Sequence, residues 1–163
     1  MVELSVRRIG PRLHGALPLC RAGQRLGRNR VRRAYMYKRL QQQLGWIPLG
    51  TDFPVEGISP LRTFYAAVVR KDVEGYPEGG FQSDEALSRE DALRGMTGSA
   101  ALACFREQDL GRIAPGYRAD FTVLDRNLLT VPEEALMGTR VLQTWIGGVQ
   151  VFELEGGTSV MQP

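Results

Sequence analysis

GWIPLGTDFPVE, residues 45–56, is the stretch on which the fold turns. Trp46, Ile47, Pro48 and Leu49 form an apolar run too short for a helix, and Gly50, Thr51 and Asp52 end it. A buried strand is the expectation, with Pro48 counting against it because proline removes a ladder donor. Phe53-Pro54 then turns the chain away, so Asp52 stands at or just past the strand's carboxyl end.

Upstream, residues 29–44 read as a helix. Val31, Ala34, Tyr35, Leu40 and Leu44 fall near one stripe, Asn29 can cap the start, and Gly45 follows as a stop. Downstream, residues 61–69 are apolar enough for a short helix, and residues 71–82, with Gly75, Pro77, Gly79 and Gly80, form a loop. A helix over residues 88–105 is expected next. Ser88 with Asp91 makes a capping box, and Ala92, Leu93, Met96, Ala100, Ala103 and Cys104 make its apolar stripe. Beyond it the period changes. Ile113, a Pro115-Gly116 turn and residues 121–124 describe short strands; residues 141–146 and 149–152 flank Gly147-Gly148 as a hairpin, since paired glycines supply the positive φ angles of primed turns. The order is helix, strand, helix, helix, then strands, which reads as the end of an α/β unit followed by a separate β layer.

Composition narrows the class. The chain has 163 residues, 43% of them hydrophobic and 24% charged, enough for a packed core. No run approaches the roughly 18 apolar residues of a membrane span, and no export signal is visible, so no membrane partner is expected and the cytoplasm is favoured. Cys20 and Cys104 cannot build a disulfide framework, and His14, the one histidine, excludes a self-contained site of several imidazoles. Charge is uneven: residues 1–39 carry eleven Lys and Arg against Glu3, a net of +10, leaving the remainder at −7. Clustered arginines can release counterions from phosphates. Yet only Tyr35 and Tyr37 could stack on bases and no nucleic-acid module is present, so a solvated basic face is favoured over a nucleic-acid partner. Residues 1–24, interrupted by Gly10-Pro11 and Leu17-Pro18, read as irregular.

Five segments together resemble a known family: GWIPLGTDFPVE (45–56), GYPEGGFQ (75–82), ALSREDALRGMT (86–97), LGRIAPGYRADFTVLD (110–125) and VLQTWIGGVQVFE (141–153). In this order and spacing they are similar to the C-terminal end of metal-dependent amidohydrolases, and within them to the amidohydrolase 3 branch that includes N-substituted formamide deformylases. AYMYKRLQQQLG (34–45) is similar to the helix leading into that branch's last barrel strand. The resemblance implies an α/β fold: a C-terminal fragment of a (β/α)8 barrel with part of a small β-sandwich. Residues 25–108 would be the last β/α units, 109–155 the C-terminal share of the sandwich, 156–163 a tail, and 1–24 an unassigned basic segment. A full barrel takes roughly 200 to 250 residues, so this chain is expected to be a truncated member, its first two dozen residues unrelated in sequence.

The resemblance also gives Asp52 a role. The family's aspartate in this motif sits beside the metal and takes the proton of the metal-bound water, so Asp52 is the expected catalytic and metal-site residue. Read from the residues alone, an Asp before Phe-Pro is also a good turn former. The resemblance implies a divalent metal, zinc foremost, in the full-length family, with ligands upstream of the portion seen here. Three protein ligands are the norm for a hydrolytic zinc site, so this chain alone is expected to hold none tightly and to be inactive in isolation. His14 reads as an accidental histidine, Asp120 as a turn carboxylate, and Asp84, Glu85, Glu90 and Asp91 as a solvated helix start. The expected substrate is a small amide-like or formamide-like molecule; the rival reading is a non-catalytic assembly module that pairs with itself or a missing barrel half through open edges.

Overall fold

The computed structural model describes residues 25–54 and 57–155. The sequence readings of residues 1–24, with His14, and of residues 156–163 lie outside them. Within the described residues helices α1 (Arg28–Val31), α2 (Tyr37–Leu44), α3 (Pro60–Val69), α4 (Arg89–Met96) and α5 (Gly98–Ala103) precede a three-stranded sheet of β1 (Phe121–Leu124), β2 (Val141–Ile146) and β3 (Val149–Glu153). Short 3-10 turns stand at Ser83–Glu85 and Glu133–Gly138.

The helix expected over 29–44 is two helices. Tyr35, at φ 60°, breaks it, because its ring packs edge-on against Tyr37 and Phe81 and its carbonyl accepts a hydrogen bond from Arg70 Nη2 at 3.1 Å. Those contacts override local propensity. Tyr37 is the buried residue of α2, whereas Leu44, expected on the apolar stripe, is 59% exposed. Gly45 ends α2 in the left-handed conformation, as expected.

Helix α3 begins with Pro60 at its first turn, where a missing N–H is harmless, and buries Phe64, Ala66, Ala67 and Val69. The helix expected over 88–105 is also divided, at Thr97 (φ −120°, ψ −92°). A close approach explains the break: a Cβ on Gly111 would lie 2.9 Å from Thr97 O, Gly98 Cα and Ala101 Cβ, so the chain after α5 packs onto the interruption. Ser88 caps α4 as expected, its Oγ accepting from Asp91 N at 3.0 Å and donating to the Asp91 carboxylate at 2.9 Å. Of the expected stripe Ala92 is buried, while Leu93 and Cys104 are exposed.

The core joins Tyr37, Ile47, Leu49, Phe64, Ala67, Val69, Leu87 and Ala92 to Leu128 and Leu136 from beyond β1. Burying each large side chain of this set contributes roughly 1.5–3 kcal/mol. Arg89 ties the two regions, its Nη1 donating to the carbonyls of Leu128 (2.8 Å) and Val131 (2.6 Å).

The sheet is an antiparallel meander in the order β1-β2-β3. The expected hairpin is present: Ile146 pairs with Val149 across Gly147-Gly148, both at positive φ. A bulge after Thr144 shifts the register, so that Trp145 faces Gln150 and Thr144 faces Phe152. Asp120 Oδ1 accepts from Gly147 N at 2.6 Å, and Phe121 stacks on Trp145 with centroids 5.6 Å apart. Two strand expectations fail. Ile113 is in no strand and is 89% exposed, and residues 46–49 form no ladder, Gly50 alone making a bridge. Their burial nevertheless alternates as a strand's does, with Ile47 and Leu49 inside and Trp46 outside. What is lacking among the described residues is a neighbouring strand to pair with.

Candidate functional site

The segment leading to Asp52 is fixed by α4. Leu49 N donates to Gly95 O at 2.9 Å, and Ile47 and Leu49 face the core at 1% and 6% exposure. Gly95 permits this contact: a Cβ there would meet Leu49 Cγ at 2.8 Å and Ile47 O at 3.0 Å. The helix and the extended segment are therefore in backbone contact, and the chain emerges from the core at Gly50 with its direction set.

Asp52 is half-buried and takes φ 56°. Aspartate tolerates this left-handed conformation better than most residues, because its short polar side chain can bond locally. Phe53 N donates to Thr51 Oγ1 at 3.3 Å, tightening the turn, and Phe53 and Ile58 stand 61% and 68% exposed. The turn-forming character read from the sequence is therefore real. It is compatible with a chemical role, since the same turn presents the carboxylate at the end of the buried segment.

The loop over residues 71–82 is anchored at both ends. Asp72 Oδ1 accepts from Glu74 N (3.0 Å) and Tyr76 N (2.8 Å), Phe81 N donates to Arg70 O (2.8 Å), and Gln82 Nε2 reaches Val31 O (2.7 Å). These bonds favour a plain surface loop over a free flap. At its base lies a feature the sequence reading missed. Arg70, fully buried, donates from Nε to Phe81 O at 3.0 Å and from Nη2 to Tyr35 O, with its guanidinium over the rings of Tyr37 and Phe81. Burial lowers its pKa from the usual arginine range, an effect partly offset by Tyr37, Glu85 and Asp84. Burial likewise pushes the Tyr37 phenol up to about 12. Glu85, read as part of a solvated helix start, is instead 3% exposed. It pairs with Arg39 Nε at 2.6 Å and accepts from Arg39 N. No periodic signal marked either residue, because both are charged groups buried for tertiary reasons.

The donor inventory around Asp52 does not suit a complete metal centre. Among the described residues no three His, Cys, Asp or Glu side chains converge closely enough to hold an ion, and those residues include no histidine. Cys104 is exposed and lies beyond α5. Among the described residues, too, no helix is long and apolar enough to cross a membrane.

Comparison with known proteins gives a consistent set. Residues 11–152 match the sequence profile of Amidohydro_3, the amidohydrolase family. The chain is 31% identical over 129 residues to YtcJ of Bacillus subtilis (strain 168), a match covering 79% of this chain and 24% of that protein. It is 33% identical over 130 residues to Protein LONG AFTER FAR-RED 3 of Arabidopsis thaliana, covering 79% and 22%. It is 34% identical over 110 residues to N-substituted formamide deformylase of Arthrobacter pascens, covering 68% and 20%. Among solved structures an amidohydrolase from Thermotoga maritima aligns with 82% of this chain and 42% of its own, at 18% identity and a TM-score of 0.40. The chain thus matches about a quarter or less of the length of these curated relatives.

Proposed function

Because this chain belongs to the amidohydrolase family, we propose that it is the C-terminal portion of a hydrolase acting on carbon–nitrogen bonds other than peptides. Residues 25–108 supply the last β/α units of its barrel and residues 109–155 a share of its β-sandwich. The observation that carries this reading is the segment 46–52. Its apolar side chains alternate in and out of the core as a barrel strand's do, and it ends on a half-buried aspartate. Barrel enzymes keep their reacting groups at the carboxyl ends of strands.

In this reading Asp52 is the proton carrier. Water adds to the amide-like carbon, its proton passes to the carboxylate, and the same proton is returned to the nitrogen as the C–N bond breaks and the amine departs. The family is in general metal-dependent, and the described residues hold no group of metal donors, so in this reading Asp52 would stand beside a centre whose other donors come from outside them. Formamide chemistry, which the Arthrobacter pascens relative's name states, is the first substrate class to try.

A chimera tests the proposal. Residues 25–153 replace the matched segment of N-substituted formamide deformylase, and amine release is followed with and without Asp52→Asn. The chimera is expected to turn over a formamide substrate, and Asp52→Asn to lower kcat by roughly 10²- to 10⁴-fold, the usual worth of a positioned acid–base group. A chimera that folds and works equally well with Asn at 52 refutes the assignment.

One set of observations favours a second reading, an assembly module. Phe105, Ile113, Val149, Val151 and Phe152 are 86%, 89%, 64%, 54% and 45% exposed, and β3 is an open sheet edge. Such surfaces seek partners. Light scattering over a concentration series distinguishes the two: a monodisperse monomer at high concentration removes the assembly reading.

A further inference from the structure

Three residues with side chains take a left-handed backbone within one hydrogen-bonded cluster: Tyr35 at φ 60°, Arg70 at φ 62° and Gln82 at φ 45°. Arg70, fully buried, donates from Nη2 to Tyr35 O at 3.1 Å and from Nε to Phe81 O at 3.0 Å, and its own carbonyl accepts from Phe81 N at 2.8 Å. Gln82 Nε2 donates to Val31 O at 2.7 Å. The ring of Tyr35 meets that of Phe81 edge-on, with centroids 5.9 Å apart. Two stretches far apart in the chain, a strap over residues 28–35 and the loop over residues 71–82, are thus tied to each other at one point.

The closed cluster is costly. Side chains in the left-handed region are strained, and such strain persists only where the surroundings impose it. Arg70 Nη1 and Gln82 Oε1 are buried without a hydrogen-bond partner. Sealed as they are, they gain one only when the cluster opens to water. Little else holds either stretch down. Asn29, Arg30 and Val31 are outside the core, and α1 is a single turn that does not persist unsupported. In the loop Val73 and Tyr76 are 41% and 48% exposed. The bonds from Glu74 N and Tyr76 N to Asp72 Oδ1 are internal to the loop, so they survive its movement.

We propose that Arg70 and Gln82 form a latch: the strap and the loop open as one unit, at a lower free energy than the core, and neither opens without the other. Sub-global units of this kind are the parts of a fold that can move while the rest stays native. The inference is independent of the hydrolase reading, because it uses neither Asp52 nor a metal.

Native-state hydrogen exchange of the full chain, followed by NMR at urea concentrations below the unfolding transition, tests it. The Val31, Ala34 and Phe81 amides are expected to share one opening free energy and one urea dependence, and to exchange at least about tenfold faster than the Leu49 and Ala92 amides of the core. Arg30→Gly supplies a cross-check. Arg30 is exposed, lies in α1 and is remote in sequence from the loop. Weakening this turn should speed exchange about threefold at Phe81 as well as at Val31 and Ala34. A Phe81 amide that Arg30→Gly leaves unchanged, or whose urea dependence differs from those of Val31 and Ala34, overturns the proposal. So does exchange of all five amides together, since strap and loop would then open only with the whole fold. The urea series is read on the unaltered chain, so the outcome does not depend on the variant's folding.

Discussion

Replacing Gly95 with alanine sets helix propensity against a close contact. Gly95 lies in α4 with ordinary helical geometry, so alanine should stabilise the helix by about 1 kcal/mol through a less flexible unfolded chain. Against this, the new Cβ would stand 2.8 Å from Leu49 Cγ, 3.0 Å from Leu49 Cδ1 and 3.0 Å from Ile47 O. One of those atoms is backbone, and the others belong to a side chain only 6% exposed. The Leu49 N to Gly95 O bond at 2.9 Å also prevents the two segments from simply moving apart. Overpacking of this kind costs roughly 1–3 kcal/mol, and the rigidity of the contact argues for the upper half. The net expectation is a loss of about 1–2 kcal/mol, a fall of roughly 3–8 °C in Tm for a chain of this size. Urea melts followed by circular dichroism measure it. A Gly95→Ala variant more stable than the parent refutes the reasoning, because the segment before Asp52 would then not be held by contact with α4.

Other expectations follow from single contacts. Ser88→Ala removes the acceptor of the Asp91 N–H and should cost about 1 kcal/mol in the same urea melt. Tyr37 has a folded-state pKa of about 12, raised by burial from an ordinary value near 10, so the unfolded chain gives up this proton first. Stability from the buried phenol is complete below about pH 10 and is lost as pH rises towards 12, on the order of 2 kcal/mol; melts across that range, with Tyr37→Phe as the variant lacking this contribution, check it. Gly148→Ala, at φ 80°, should cost roughly 1–2 kcal/mol by forcing a side chain into the left-handed region, read as a lowered melting temperature.

The sequence disclosed those elements whose determinants are local. The Ser88–Asp91 cap, the Gly45 stop and the Gly147-Gly148 hairpin each rest on neighbours in the chain, and each is found in place. The breaks at Tyr35 and Thr97 were not legible, because their causes lie far along the chain: Arg70 and Phe81 for the first, Gly111 for the second. Burial of Arg70 and Glu85 was hidden for the same reason, as charge alone predicts solvent exposure. The segment 46–52 shows both sides of this. Its apolar alternation told which side chains would be buried, but ladder pairing needs a second strand, and none of the described residues supplies it. The glycine, threonine and proline around Asp52 mark a turn, and only the family resemblance gave that aspartate a chemical role, whereas the donors of a metal centre come from distant parts of a chain and leave no mark on this stretch.

The most direct test of the account is a zinc titration of the purified chain by calorimetry, with Asp52→Asn in parallel. If this portion contributes one carboxylate to a centre whose other donors lie elsewhere, the heats should show no stoichiometric site and the two chains should behave alike. One tightly bound ion per chain, lost with Asp52→Asn, would contradict that, and would mean that the chain completes a metal centre by itself or with its own copies.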